Sequence, residues 1–340
     1  MKKIIIIVAI FLSSLLIVIN NEILDSEDIV DNSAVVNNEI INNEDYGDKK
    51  LGYINISDEV REVAINYPEF LSTMIAGNIK IPIYDNMVPQ GIALMGDYIL
   101  ITSYDSDGKN NSVVYVMDKN GDIVNIVDLG NKSHVGGIAY DDANELIWIP
   151  GNNGVLKAYQ AIDFINDKKV KAKYNFNNVS DDLVDFLDEK KKLIAFVTID
   201  EDNIYFGNFS KDEESIVKKY RIINSDGRVS LSYINSFMVP ARTQSITFFN
   251  KGLKKYIIIS NSYQRRKSSY IKVYEYQDNI TNYREELSNI ELPPMLEQSV
   301  VNGNSLYTIF ESKAKKYSNC PEKMEYICVL DIYKIINMAS

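Results

Sequence analysis

VPQGIALMGD (88–97), HVGGIAYDDA (134–143), RTQSITFFNK (242–251) and LEQSVVNGNS (296–305) open in the same way: a turn, one small or amide residue, then a β-rich run. LIAFVTIDED (193–202) is a weaker fifth copy. Aligning Gln90, Gly136, Ala195, Gln244 and Gln298 gives spacings of 46, 59, 49 and 54 residues. Self-similarity at a period of 40–60 residues is the signature of a repeat architecture, and it takes precedence over any local reading.

Working outward, each opening leads into a second β-rich segment: YILITSY, LIWIPG, NIYFGNF, KYIIISNSY and SLYTIFE. A third follows: SVVYVMD, VLKAYQAI, IVKKYRI, YIKVYEY and YICVLDIYKI. A more polar fourth closes most copies: IVNIVDL, KVKAKYNF, VSLSYINSF and NYREELSNIEL. Four strands per unit predict an all-β chain folded as a five-bladed β-propeller. The fifth unit runs out of chain after its third strand, while IKIPIY (79–84) is a strand without a unit. Pairing the two would close the ring and hide its edges. A sixth blade would have to lie within 51–78. That stretch reads instead as one or two short helices opening at Ser57, with Val60, Val63, Ala64, Ile65, Phe70, Leu71, Met74 and Ile75 packing on the propeller. A six-bladed ring and a β-sandwich are the alternative folds.

Ahead of this body, Lys2 and Lys3 precede a largely apolar stretch, Ile4 to Ile19, too short for a full span of about 20 residues. Residues 1–19 therefore read as a signal peptide or a signal anchor, and the remainder is expected to face outside the cytoplasm, secreted or held at the membrane. Residues 20–50 are rich in Asn and acids. Nine acids and no base lie within 20–48, a composition that predicts a disordered tether. The net charge of −11 belongs mostly to that tether. Without it and the two leading lysines the folded part carries −4. A pI near 4.8 argues against a nucleic-acid partner. One His and two Cys exclude zinc fingers and iron–sulfur clusters. In an oxidising compartment Cys320 and Cys328, eight residues apart, are expected to bridge; the alternative is two unrelated thiols.

In a propeller, the loops leading into first strands share a face with the loops joining second to third strands. The first set contributes Gln90, His134, Arg242, Gln244, Glu297 and Gln298. The second contributes Tyr104, Asp105, Asp107, Asn152, Asn208, Asn261, Tyr263, Arg265 and Glu311. Ligand-binding candidates at the channel mouth are Gln90, Tyr104, Asp105, His134, Arg242, Gln244, Tyr263, Glu297, Gln298 and Glu311. The recurring amides can equally serve the crowded axis by bonding backbone. Asp105 to Asn111 begins like a calcium loop but lacks the distal Glu, so it reads as a polar hairpin loop. Arg265, Arg266 and Lys267 read as a solvated loop tip. There is no Walker loop, no G-x-G-x-x-G opening a helix and no G-x-S-x-G elbow. Glu297 and Glu311 are the only plausible carboxylate pair.

The units at 88–120 and 134–163 resemble exported bacterial propellers of the gluconolactonase-like and YVTN-repeat kind. In the lactonases a P-E-G element supplies a metal-binding Glu; here the matching residues are Pro89, Gln90 and Gly91. The expected function is an extracytoplasmic binding module for a glycan, peptide or surface protein, monomeric and without cofactor, touching membrane only through its N-terminal segment. The alternative is a hydrolase of lactones or esters. It would hold one divalent cation, calcium foremost, near Gln90, Asn208, Asn261 and Glu311, with His134 as base.

Overall fold

The structure is a computed structural model that describes residues 55–177, 193–283 and 285–338. The expectations for 1–19 and 20–50 lie outside the described residues. Among the described residues, twenty strands form five four-stranded antiparallel sheets. Blade 1 holds β2 (Met87–Met95), β3 (Tyr98–Asp105), β4 (Val113–Met117) and β5 (Ile123–Asp128). Blade 2 holds β6 (Ala139–Asp141), β7 (Leu146–Pro150), β8 (Leu156–Gln160) and β9 (Tyr174–Phe176). Blade 3 holds β10 (Phe196–Asp200), β11 (Asn203–Gly207), β12 (Ser215–Ser225) and β13 (Arg228–Val239). Blade 4 holds β14 (Thr243–Lys251), β15 (Lys254–Asn261), β16 (Ser269–Glu275) and β17 (Ser288–Leu292). Blade 5 is composite: β18 (Leu296–Asn302), β19 (Ser305–Phe310) and β20 (Tyr326–Asp331) are completed by β1 (Met74–Lys80). This is the five-bladed propeller with an N-terminal closing strand.

Local chemistry sets the blades. In four of them the first two strands are joined by two residues, the first at positive φ: Gly96, Glu201, Gly252 and Gly303. Tight hairpins of right-twisted strands need that backbone, and glycine adopts it without strain in three of the four. Apolar residues then fill five clusters, one between each pair of neighbouring blades. The last joins Ile309 and Ile327 of blade 5 to Ile92, Ile99 and Ile101 of blade 1, which closes the ring.

The closing strand lies five residues earlier than the sequence suggests. Met74 pairs with Leu330 and Lys80 with Tyr326, with two register shifts between Met74 and Ile79. Those shifts break the alternation that marks a strand, and the apolar alternation of IKIPIY is the more visible signal. The helices are accordingly shorter: α1 (Asp58–Ala64) and α2 (Pro68–Thr73). Ser57 caps α1 by accepting from the Val60 N–H at 3.2 Å. Val60, Ala64, Phe70 and Met74 are buried against blades 4 and 5. Ile65 and Ile75, expected to pack, are exposed. A short helix α3 (Asp163–Asn166) precedes β9. At the other end β20 stops at Asp331, whose carboxylate caps α4 (Ile332–Asn337). No helix among the described residues is long and apolar enough to cross a membrane.

Cys320 and Cys328 are both free and buried, a correction to the expected bridge. Cys328 sits mid-strand in β20, within the apolar cluster under α1 and α2. Cys320 lies in the preceding loop, its thiol donating to the Arg265 and Glu322 carbonyls at 3.2 Å each. The two side chains serve separate layers.

Candidate functional site

Three inner strands carry a β-bulge at the same register. It falls between Pro89 and Gly91 in β2, between Thr243 and Ser245 in β14, and between Leu296 and Ser299 in β18. The bulged residues are Gln90, Gln244 and the pair Glu297–Gln298. A bulge leaves a residue outside the ladder and re-aims its side chain. This is the structural meaning of the recurring amide.

Adjacent residues of the β18 bulge then part ways. Gln298 turns to the axis: its Oε1 accepts from Ile92 N at 3.1 Å and Ile138 N at 3.0 Å, and its Nε2 donates to the Ile138 and Val197 carbonyls at 2.9 and 3.3 Å. One amide thus ties blades 5, 1, 2 and 3. Glycine permits the approach. A Cβ on Gly91 would stand 2.9 Å from Gln298 Oε1, and one on Gly136 would fall on the Ala195 carbonyl oxygen. Of the two readings offered for the amides, Gln298 follows the structural one.

Glu297 turns the other way, into a cavity of about 1020 Å³ at the mouth. Gln90, His134, Gln244, Tyr263 and Glu311 line the same space. Glu311, just beyond β19, accepts from Gln90 Nε2 at 2.8 Å and also hydrogen-bonds Glu297 and Tyr317. Glu297 and Glu311 are only 5% and 8% exposed, and neither forms an ion pair among the described residues. Burial pushes both carboxyls up. Glu311 raises Glu297 further, whereas hydrogen bonds from Glu297, Gln90 and Tyr317 hold Glu311 back, so that it reaches about 7. Two carboxyls in contact away from water hold one proton between them near neutral pH, and that proton belongs to the pair.

The nearest ammonium, Lys316, is held aside. Its Nζ donates to the Tyr104 hydroxyl at 2.7 Å and lies 5.2 Å from the ring centroids of both Tyr104 and Tyr317. His134 stacks on the other side of this assembly, 4.3 Å from Tyr104. Crowding at the mouth and then the Lys316 charge push its imidazole down. His134 is therefore neutral near pH 7.

The remaining candidates stand outside the cavity. Asp105 caps its own loop, accepting from the N–H groups of Asp107, Lys109 and Asn110 at 2.9, 3.1 and 2.7 Å. Burial opposes its charge, but these donors hold its carboxyl below the usual range. Arg242 bonds the Lys211 carbonyl at 3.2 Å and lies over Tyr263 at 5.8 Å. Tyr104 is buried behind His134. Asn208 and Asn261, offered as ion ligands, bond backbone at Ile216 and Ala241, and no metal-ligating cluster of three or more His, Cys, Asp or Glu occurs among the described residues. Arg265, expected in a solvated tip, is half-buried in the cavity wall with Arg266 beside it. Sequence reasoning missed Lys316, Tyr317 and Met295. For Lys316 and Tyr317 the signal was loop length, since 311–325 is the longest connection between second and third strands; Met295 sits just ahead of β18 and left no such signal.

No family model matches the chain, and no curated protein matches it. Among solved structures it is similar to the WD40 repeats of RRP9, 9% identical with a TM-score of 0.42 over 74% of this chain and 97% of that one. It is also similar to U3-55K, 9% identical at 0.42 over 74% and 98%. A chain of a nidogen/laminin complex is 12% identical at 0.40 over 67% and 74%. At these identities and scores the likeness carries no functional meaning.

Proposed function

We propose that this protein is an extracytoplasmic binding module that takes a polar ligand, a glycan or a peptide segment, in the mouth cavity. The observation that carries the reading is the shared bulge. Three inner strands depart from their ladders at one register and deliver Gln90, Gln244 and Glu297 to one face. There a pocket of about 1020 Å³ has the size of a small-molecule or peptide site. The axis itself is filled, so the ligand lies over it and does not pass through. Tyr263 and Tyr317 give the walls flat surfaces for a sugar ring or side chain, and Gln244 is half-buried with its amide at the wall. The placement outside the cytoplasm is supported by Lys2, Lys3 and the apolar stretch behind them.

The test is a binding screen of the full chain against neutral oligosaccharides and soluble peptides, repeated with Tyr263→Ala and Gln244→Ala. Binding that drops about tenfold in either variant, on the scale of one lost wall contact, places the ligand in the mouth. Binding unchanged in both variants removes the cavity from the account.

A further inference from the structure

Resting on the reading of the mouth cavity as a ligand site, we infer that its ligand is a peptide that enters ammonium first, an N-terminal amine or a lysine side chain docking on the Glu297–Glu311 pair. The floor of the cavity is acidic, and among the described residues neither carboxyl forms an ion pair; Lys316 acts on them only from a distance. Both carboxyls are more than nine-tenths buried, and among the described residues Glu297 makes its side-chain hydrogen bond to Glu311 alone. Buried acids normally have a cationic partner, because an unpaired charge away from water is costly. Lys316 could have been that partner, yet Tyr104 and Tyr317 hold its ammonium, and it forms no ion pair with either carboxyl. What remains is a pair of acid oxygens facing a cavity, with a proton in the place a cation would take.

The rim narrows the class. Arg265 lies 5.1 Å over the Tyr317 ring and donates to Asn319 Oδ1 at 3.0 Å, and Arg266 is beside it. These two arginines make the entrance positive, which repels a bare polyamine. A peptide carries carbonyls and a carboxylate behind its ammonium and satisfies both levels: cation at the floor, acceptors at the rim. A neutral sugar leaves the floor carboxyls without a counter-charge.

Docking of an ammonium displaces the shared proton, so binding is linked to pH. The groups facing the pair are Gln90 from blade 1, Tyr317 and Lys316 from the 311–325 loop, and His134, Arg265 and Arg266 around the mouth. His134 is neutral, so the pH dependence is carried by the carboxyl pair. Affinity for an amine then falls about tenfold for each pH unit below 7, where Glu311 titrates, because one proton must leave for one cation to enter.

The experiment incubates the full chain with a soluble pentapeptide library bearing free amino termini, the same library N-acetylated and free of lysine, 1,5-diaminopentane, and a panel of neutral oligosaccharides. Bound species are quantified by mass spectrometry after gel filtration at pH 5.5, 6.5 and 7.5. The expected result is at least tenfold enrichment of free-amine peptides over acetylated ones, rising with pH. That preference and its pH dependence should disappear in Glu297→Gln and Glu311→Gln. Equal binding of both libraries, a flat pH profile in the unaltered protein, or preference for the diamine overturns the ammonium-first peptide. If only oligosaccharides bind, and Tyr263→Ala abolishes it, the cavity reading stands and this inference falls. If nothing binds, both fall.

Discussion

Residues 297 and 298 are neighbours on one bulge of β18, and they stand for two regions built on opposite terms. At the axis every polar atom of Gln298 has a backbone partner, and the surrounding glycines leave no room for anything else. At the mouth floor Glu297 and Glu311 are buried too, yet each faces another acid and open space. Burial is therefore no guide to role here. What separates scaffold from site is satisfaction: a buried polar group whose bonds are complete holds the fold together. One whose counter-charge is missing is available to a ligand.

The largest effect should come from breaking the axis. Gln298→Ala leaves four backbone groups without their partner, and at about 1 kcal/mol or more for each it should lower stability by about 4 kcal/mol in urea unfolding. A loss under about 1 kcal/mol would mean that water replaces the amide and that the axis resembles the mouth. Next in size is the pH dependence of the floor. The folded carboxyl of Glu311 sits near 7, above its ordinary 4.5, so the folded chain keeps a proton that the unfolded chain has released between those values. This stabilising contribution is complete below about pH 4.5 and is lost as pH rises through about 7, a fall on the order of 3 kcal/mol. Glu311→Gln should flatten that part of the profile; a profile identical to the parent's would show the pair already ionised. Lys316→Met should extend the fall to higher pH, since its ammonium favours ionisation of both carboxyls. The smallest effect belongs to Asp105, one of the candidates that the structure places in its own loop. Asp105→Ala should destabilise by about 1 kcal/mol through lost capping bonds and leave mouth binding unaltered. Weakened binding would return Asp105 to the site.

The propeller was legible because its signal is redundant. Five openings, the β-rich segments that follow each of them, and an orphan N-terminal strand all pointed to one ring. The closing strand was misplaced by five residues because its bulges between Met74 and Ile79 break the period-two pattern, while Pro82 sits in the better-looking run. The mouth was legible at its inner wall, where Gln90, Gln244, Glu297 and Glu311 follow from topology. Its outer wall was not. Tyr317 reaches the cavity from the long 311–325 loop, which obeys no period, and Arg265 had read as a solvated tip. Nor does sequence show that Gln298 and Glu297 face opposite ways, since alternation is suspended in a bulge. The Cys320–Cys328 bridge failed for a related reason: a separation of eight residues limits loop size but says nothing of the layer each side chain enters.

The central claim is that the mouth floor holds a proton in place of a missing cation. It is tested most directly by following the side-chain carboxyl carbons of Glu297 and Glu311 by NMR in the full chain, with and without free-amine peptides. The account predicts at least one carboxyl of the pair protonated at pH 6 in the free protein, and a proton released when an amine-bearing peptide binds. Two carboxylates fully ionised at pH 6 before any ligand is added would contradict it.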